Sequence, residues 1–356
     1  MKKRGVGLGL TFYGTGYGNG FPDVSRAEVE LLPDGRVGIH TGVTEVGQGG
    51  RTVMTQIGAE VLQTDMEHFV LVHEDTSRMP DSGTAAATRQ TYNTGNAVRV
   101  ACEKFRAALC ERAKEALELN STVGLTVRDA AVFIKFFPEK RITLKELAER
   151  YTGENAISVK DEYVAQTTQM DGETGQGAPY WPYTFNACAV EVQVDTLTGR
   201  VEVLDAVFAQ DAGKAVNPHL LEGQMDGGFA MGLGYTLFED LKLENGVMKN
   251  ASFSKYLIPT ALDMIDVENV IVEDPESTAP FGAKGIGEPV MLPIAPAILN
   301  AIYDAVGVRI LELPVTPERM LAALRKAGKA PNGSPIRSRN ASSLSGVQTH
   351  ALHRVL

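Results

Sequence analysis

A single carboxylate, Glu288, sits between Gly287 and Pro289 in the stretch FGAKGIGEPVMLPIAPAILNAI. From Gly285 to Tyr303 the only ionisable side chains are Glu288 and Tyr303. A charge in such surroundings costs free energy unless it is paired, solvated or used. Two uses suit Glu288. One is a general base, which takes a proton from a reacting group within hydrogen-bond reach. The other is a helix-start carboxylate that satisfies free backbone N–H groups ahead of the apolar run.

Other segments carry groups suited to a large polar ligand. GVTEVGQGG (42–50) presents Gln48 between Gly47 and Gly49 where a helix opens, and helix N-termini attract anions. DSGTAAATRQT (81–91) sets small residues before a second helix, with Arg89 adding a cation. GQMDGGFAMGLG (223–234) supplies a second amide, Gln224; its Gly228 and Gly232 spacing also suits close helix packing. Each segment alone reads more readily as structural than as functional. Together, two amides and two helix starts suit a phosphate-bearing cofactor rich in donors and acceptors. GTGYGNG (14–20) has Asn19 where a dinucleotide fingerprint needs glycine and follows no clear βαβ unit. It reads as a turn, or as backbone beside a ligand with Tyr17 presented for stacking.

These groups need a scaffold. Residues 26–41 alternate around Pro33-Asp34-Gly35 and predict a β-hairpin. A helix follows with Val53, Ile57 and Val61 on one face, then a short strand HFVLVHEDT. A second helix over about 93–118 turns Val98, Cys102, Phe105 and Leu109 inward. Residues 121–142 predict strand and loop, and Thr143 to Glu146 form a capping box. A polar, then aromatic, loop spans 165–186. A second hairpin over 188–209 is again followed by a Gly/Gln segment. Pro296 marks the first turn of a helix, and TPERMLAALRKAG closes the fold with a helix ended by Gly328. The expectation is an α+β fold of two similar subdomains, each with hairpins or sheet and packed helices. They span 1–152 and 153–330, and a polar disordered tail covers 331–356.

Bulk properties narrow the function. Net charge is −10, against a nucleic-acid partner. Cys102, Cys110 and Cys188 lack CxxC spacing, and the six histidines lack metal or catalytic spacing, so no metal is held directly by side chains. No apolar run reaches the roughly 18 residues of a membrane span, and the basic, glycine-broken start lacks a cleavage site. Cytoplasm is the default expectation.

Taken in order, GVTEVGQGG, DSGTAAATRQT, CAVEVQVDTLTG, EGQMDGGFAMGLG and KGIGEP resemble the C-terminal half of the molybdenum-binding part of the xanthine dehydrogenase/aldehyde oxidase family. The resemblance runs from about Lys3 to Ala327. It implies that Glu288 is the base beside the metal, and that Gln48, with Gly47 and Gly49, and Gln224 bind the pterin. It implies that Ala85, Ala86, Ala87, Thr88 and Arg89 cradle the cofactor, with Gly285 beside it, and that Tyr17 stacks on a small aromatic substrate. The implied cofactor is molybdopterin, as a dinucleotide of the cytosine form, carrying molybdenum. The preceding half of the family's molybdenum unit does not match here. The expectation is a split subunit working with a larger molybdopterin subunit, a 2Fe–2S subunit and an FAD subunit. The implied reaction is hydroxylation of an N-heteroaromatic with water-derived oxygen. An aldehyde or aromatic thioester substrate, or a non-catalytic assembly role, are the alternatives.

Overall fold

A computed structural model describes residues 1–18, 21–72 and 75–329. Asn19, His73 and the tail expected at 331–356 lie outside the described residues. In chain order the first elements are β1 (Lys2–Gly14), β2 (Val24–Leu31), β3 (Val37–Thr41), α1 (Gly50–Leu62), β4 (Phe69–Val72) and α2 (Gly95–Ala116). Next come β5 (Leu125–Arg128), β6 (Ala131–Ile134), β7 (Phe137–Thr143), α3 (Leu144–Arg150) and β8 (Ser158–Val164). The rest are β9 (Tyr183–Asp195), β10 (Val201–Asp211), α4 (Pro218–Leu237), the short ribbon β11 (Leu243–Glu244) and β12 (Val247–Met248), β13 (Glu268–Val272), α5 (Ile294–Val306) and α6 (Pro317–Lys326).

Helices and sheets mix as the α+β expectation requires. Two four-stranded sheets run β4-β3-β2-β8 and β13-β10-β9-β1. Each is built the same way. An antiparallel hairpin, β2–β3 or β9–β10, is followed by α1 or α4 and a strand, β4 or β13, parallel to the hairpin's second strand. A parallel neighbour cannot be reached by a tight turn, so a crossover is obligatory. An antiparallel edge strand, β8 or β1, flanks each hairpin on its other side. The β5–β6–β7 meander is a separate three-stranded sheet.

A boundary at 152/153 does not follow these sheets. β1, from the start of the chain, pairs with β9 in the second sheet, and β8, after residue 153, pairs with β2 in the first. Edge strands are supplied by long-range pairing, which a local sequence pattern does not carry. The first core gathers Val29, Ile39, Ile57, Leu62, Val98, Cys102, Phe105 and Leu109, and the second gathers Val192, Phe208, Phe229, Ile298 and Ile302. Met54 rather than Val53 is the fully buried member of the first turns of α1. The capping box at α3 forms, with Thr143 accepting from the Glu146 N–H and Glu146 accepting from the Thr143 N–H.

The glycines of β1 have a mechanical reason. A Cβ at Gly5 would lie 2.3 Å from Ala305 N, one at Gly7 2.1 Å from Ala301 N, and one at Gly9 2.0 Å from the Pro293 carbonyl oxygen. Helix α5 rests directly on the backbone of β1, which only a side-chain-free face permits. Glu288 is six residues short of α5, which starts at Ile294, and residues between them form turns. It is therefore not the capping acid of that helix. Pro296 is the third residue of α5, where its missing N–H is still harmless because no intrahelical acceptor exists for it.

Candidate active site

The loop preceding α2 is clamped from below by Arg89. This side chain is fully buried and all of its N–H groups are used. Nε donates to Asp23 Oδ1 at 2.6 Å, Nη1 to the Ser82 and Thr84 carbonyls at 2.7 and 3.2 Å, and Nη2 to the Val24 carbonyl and Ser25 Oγ at 3.0 and 2.9 Å. Five donors in a fixed fork meet five acceptors. Arg89 is thus not a cation offered to a ligand anion, as its sequence context predicts. A buried guanidinium must be paired, and Asp23 with the loop carbonyls pairs it internally.

Tyr17 belongs to the same lacing. Its hydroxyl accepts the Thr84 N–H at 2.8 Å, the Arg89 guanidinium lies 4.9 Å from its ring centroid, and Phe21 meets it edge-on. Gly16 N–H donates to the Ala87 carbonyl at 3.0 Å. Gly16 and Tyr17 thus lace the β1–β2 connection to the 81–89 loop.

The start of α1 is also internally satisfied. Glu45 accepts the N–H groups of Gly47, Gly49 and Arg51 at 2.8, 3.0 and 3.2 Å. Burial pushes the Glu45 carboxyl up, but these N–H donors outweigh it and hold the group below its ordinary range. The helix N-terminus predicted for a ligand anion already holds this carboxylate, four residues upstream of Gly49. Gln48 is half-buried: Oε1 accepts the Val46 N–H at 2.7 Å, and Nε2 donates to the Thr44 carbonyl and Gln90 Oε1 at 2.7 and 3.0 Å.

Glu288 lies where the two sheets' loops meet. Ala87 N–H donates to its Oε1 at 3.2 Å, Tyr13 Oη donates to its Oε2, and its own N–H donates to Thr88 Oγ1 at 3.1 Å. Ala87 and Thr88 hold φ of 52° and 58°, a left-handed conformation costing about 1–2 kcal/mol per residue. Gly285 is required here, since a Cβ would lie 2.1 Å from the Thr88 carbonyl oxygen. Beneath, Asn186 Nδ2 donates to the Pro289 carbonyl at 2.6 Å and to Gln210 Oε1 at 3.0 Å. Gly228 and Gly232 let α4 approach the side chains of Val290 and Ile294. The carboxylate is exposed but restrained from two sides.

One cleft gathers Gln48 and Gln224 with Thr91, Lys214, Lys284 and Ile286; its volume is about 80 Å³. A second, of about 650 Å³, shares Lys214, Ala215 and Val216 with it and extends past Gln56, Gln63 and Arg128. Gln224 is half-buried inside α4, and among the described residues its amide makes no hydrogen bond. Ala85 and Ala86 are exposed on the 81–89 loop. Glu288 itself is not in the wall of the glutamine cleft, though Ile286 and Lys284 of its segment are. Of the residues the sequence points to, the structure brings Glu288, Thr88 and Gly285 together and sets both glutamines in one cleft; Tyr13, Glu45 and Asn186 were passed over. Tyr13 shares the odd-numbered face of Gly5, Gly7 and Gly9, and that phase was the available signal.

A family model described as "Molybdopterin cofactor-binding domain" matches residues 1–265. The chain belongs to that family. This molybdopterin-binding chain is 31% identical over 335 residues to "Xanthine dehydrogenase molybdenum-binding subunit" of Escherichia coli O157:H7, covering 92% of itself and 43% of that protein. It is 33% identical over 330 residues to "Aldehyde oxidoreductase" of Megalodesulfovibrio gigas, covering 91% of itself and 32% of that protein. Its fold matches the crystal structure of quinoline 2-oxidoreductase from Pseudomonas putida 86 with a TM-score of 0.78 at 25% identity, covering 91% of this chain and 42% of that one. The chain thus spans less than half the length of the relatives it matches. No helix among the described residues is long and apolar enough to cross a membrane.

Proposed function

We propose that this chain is the pterin-holding, base-bearing part of a molybdenum hydroxylase, assembled much as nicotinate dehydrogenase is, with its medium molybdopterin subunit. The observation that carries the reading is the seating of Glu288, tethered by Ala87 N–H and Tyr13 Oη on a segment whose Lys284 and Ile286 line the cleft of Gln48 and Gln224. The residues fit the cofactor. Among the described residues the Gln224 amide makes no hydrogen bond and a Cβ at Gly47 would meet nothing within 4 Å, which leaves room for approach there. The 80 Å³ cleft alone falls below the roughly 300–1,000 Å³ of small-molecule sites, so a dinucleotide, of the cytosine form, would run on into the adjoining 650 Å³ groove.

Gln224 and the Oε1 of Gln48 would bind the pterin, and Ala85, Ala86 and Thr88 would wall it. Bound molybdopterin supplies a molybdenum centre that oxidises the substrate carbon using oxygen from water. Glu288 would accept a proton at a carboxylate oxygen. Tyr17 would flank a flat substrate at the edge of its Arg89 contact. The substrate in this reading is an N-heteroaromatic of the nicotinate or purine type, supported by the xanthine and quinoline enzymes among its relatives. The aldehyde oxidoreductase relative favours an aldehyde as the second reading.

A larger molybdopterin subunit, a 2Fe–2S subunit and an FAD subunit complete the proposed cytoplasmic enzyme. An assembly partner is supported by the outer face of the second sheet, where Val6, Leu8, Leu10, Phe12 and Phe185 are each more than half exposed. Stripes of this kind mark interaction surfaces. Metal and pterin analysis of the purified complex is the test. One molybdenum and one pterin per chain is the expected result; a complex free of both overturns the reading in favour of a non-catalytic assembly role.

A further inference from the structure

Strand β1 places a side chain that the proposed chemistry has not yet used. Its odd-numbered face carries Gly5, Gly7 and Gly9 beneath α5, and the backbone that Gly9 meets is already Pro293, just before the helix. Two residues further along the same face than Thr11 comes Tyr13, level with Glu288. The bare glycine track lets α5 sit low enough for the segment ahead of it to reach this tyrosine.

We propose that Tyr13 is a positioning residue for Glu288, holding one carboxylate oxygen through its hydroxyl while Ala87 N–H holds the other. This rests on the reading of Glu288 as the base. A carboxylate offers about four lone-pair sites, so two donors on opposite oxygens fix its plane and leave sites for an incoming proton. Burial, then the hydrogen bond to Glu288, pushes the Tyr13 hydroxyl up to about 12, so at neutral pH it stays a donor. The other polar groups facing it are the Thr88 hydroxyl and the Tyr180 phenol. Ala87 and Thr88 hold their left-handed backbone at this same contact, and Asn186 pins Pro289 from below. Glu288 is thus held by Tyr13, by the 87–88 backbone and, through Pro289, by Asn186.

The test has an arm without cofactor and an arm with it. In the full chain labelled with ¹³Cζ-tyrosine, the Tyr13 signal is the one that Tyr13→Phe removes. Glu288→Gln should shift that signal and lower its titration midpoint; a signal unmoved by Glu288→Gln overturns the contact. In the assembled enzyme, Tyr13→Phe should keep its molybdenum and its KM while kcat falls roughly 10- to 100-fold. An inactive Glu288→Gln enzyme beside a Tyr13→Phe enzyme of wild-type kcat overturns this inference alone. Full turnover in Glu288→Gln overturns the base reading, and this inference with it.

Discussion

The two sheets of this chain repeat one topology and each site loop holds a buried ion pair, yet the second adds helices seated on bare glycine backbone. In the first, the connection after the crossover strand β4 is held by charge: Arg89 is buried, paired with Asp23, and bonded to two loop carbonyls and to the Val24 carbonyl of β2. In the second, the connection after β13 also carries a buried pair, Lys284 with Asp211 at 2.7 Å, but its helices are seated by shape. Gly5, Gly7 and Gly9 let α5 lie on β1, and Gly228 and Gly232 let α4 meet Val290 and Ile294. The two loops then touch at Thr88 and Glu288. A repeated scaffold brings two unlike loops together, and the candidate chemistry lies in the unlike parts.

The contrast gives its own tests. Arg89→Met should cost about 3–5 kcal/mol in urea unfolding, because Asp23 is left buried and unpaired. A loss under 1 kcal/mol would break the charge half of the comparison. Gly7→Val should cost about 3 kcal/mol, since its Cβ meets the backbone of Ala301 and Ala297 and neither can yield. Thermal unfolding checks this, and a tolerated valine would show that α5 does not rest on β1. Glu45→Gln should cost about 1–2 kcal/mol at neutral pH through weaker bonds to the α1 N-terminus. Glu45 is held below its ordinary range, so its stabilisation is present above the unfolded carboxylate value and fades as pH falls through the folded one. The gap between wild type and Glu45→Gln should therefore close in acid. Leu10→Thr, on the open face of β1, should change the isolated chain's stability by less than about 0.5 kcal/mol.

Much of each unit is written locally. The hairpins, the inward face of α2 and the Thr143–Glu146 box follow from residue spacing, and the structure repeats them. The Gly/Gln and Ala/Thr segments were visible because glycine and alanine runs mark close approach. What was not legible depends on distant partners. The pairing of residues 2–14 with 183–195 moves β1 into the other unit, and nothing in its local pattern states this. Arg89 reads as an available cation until Asp23 is seen 2.6 Å away. Glu45 reads as an ordinary loop acid until its bonds to three N–H groups are traced. Tyr13 becomes visible only once the glycine face of β1 is set against α5.

The central claim is that Glu288 is the proton acceptor of a molybdenum hydroxylase. Its most direct test is turnover by Glu288→Gln in the assembled enzyme, with molybdenum measured on the same sample. The account predicts unchanged metal and a fall in kcat of roughly 10²- to 10⁴-fold. Unchanged metal with near wild-type turnover would contradict it.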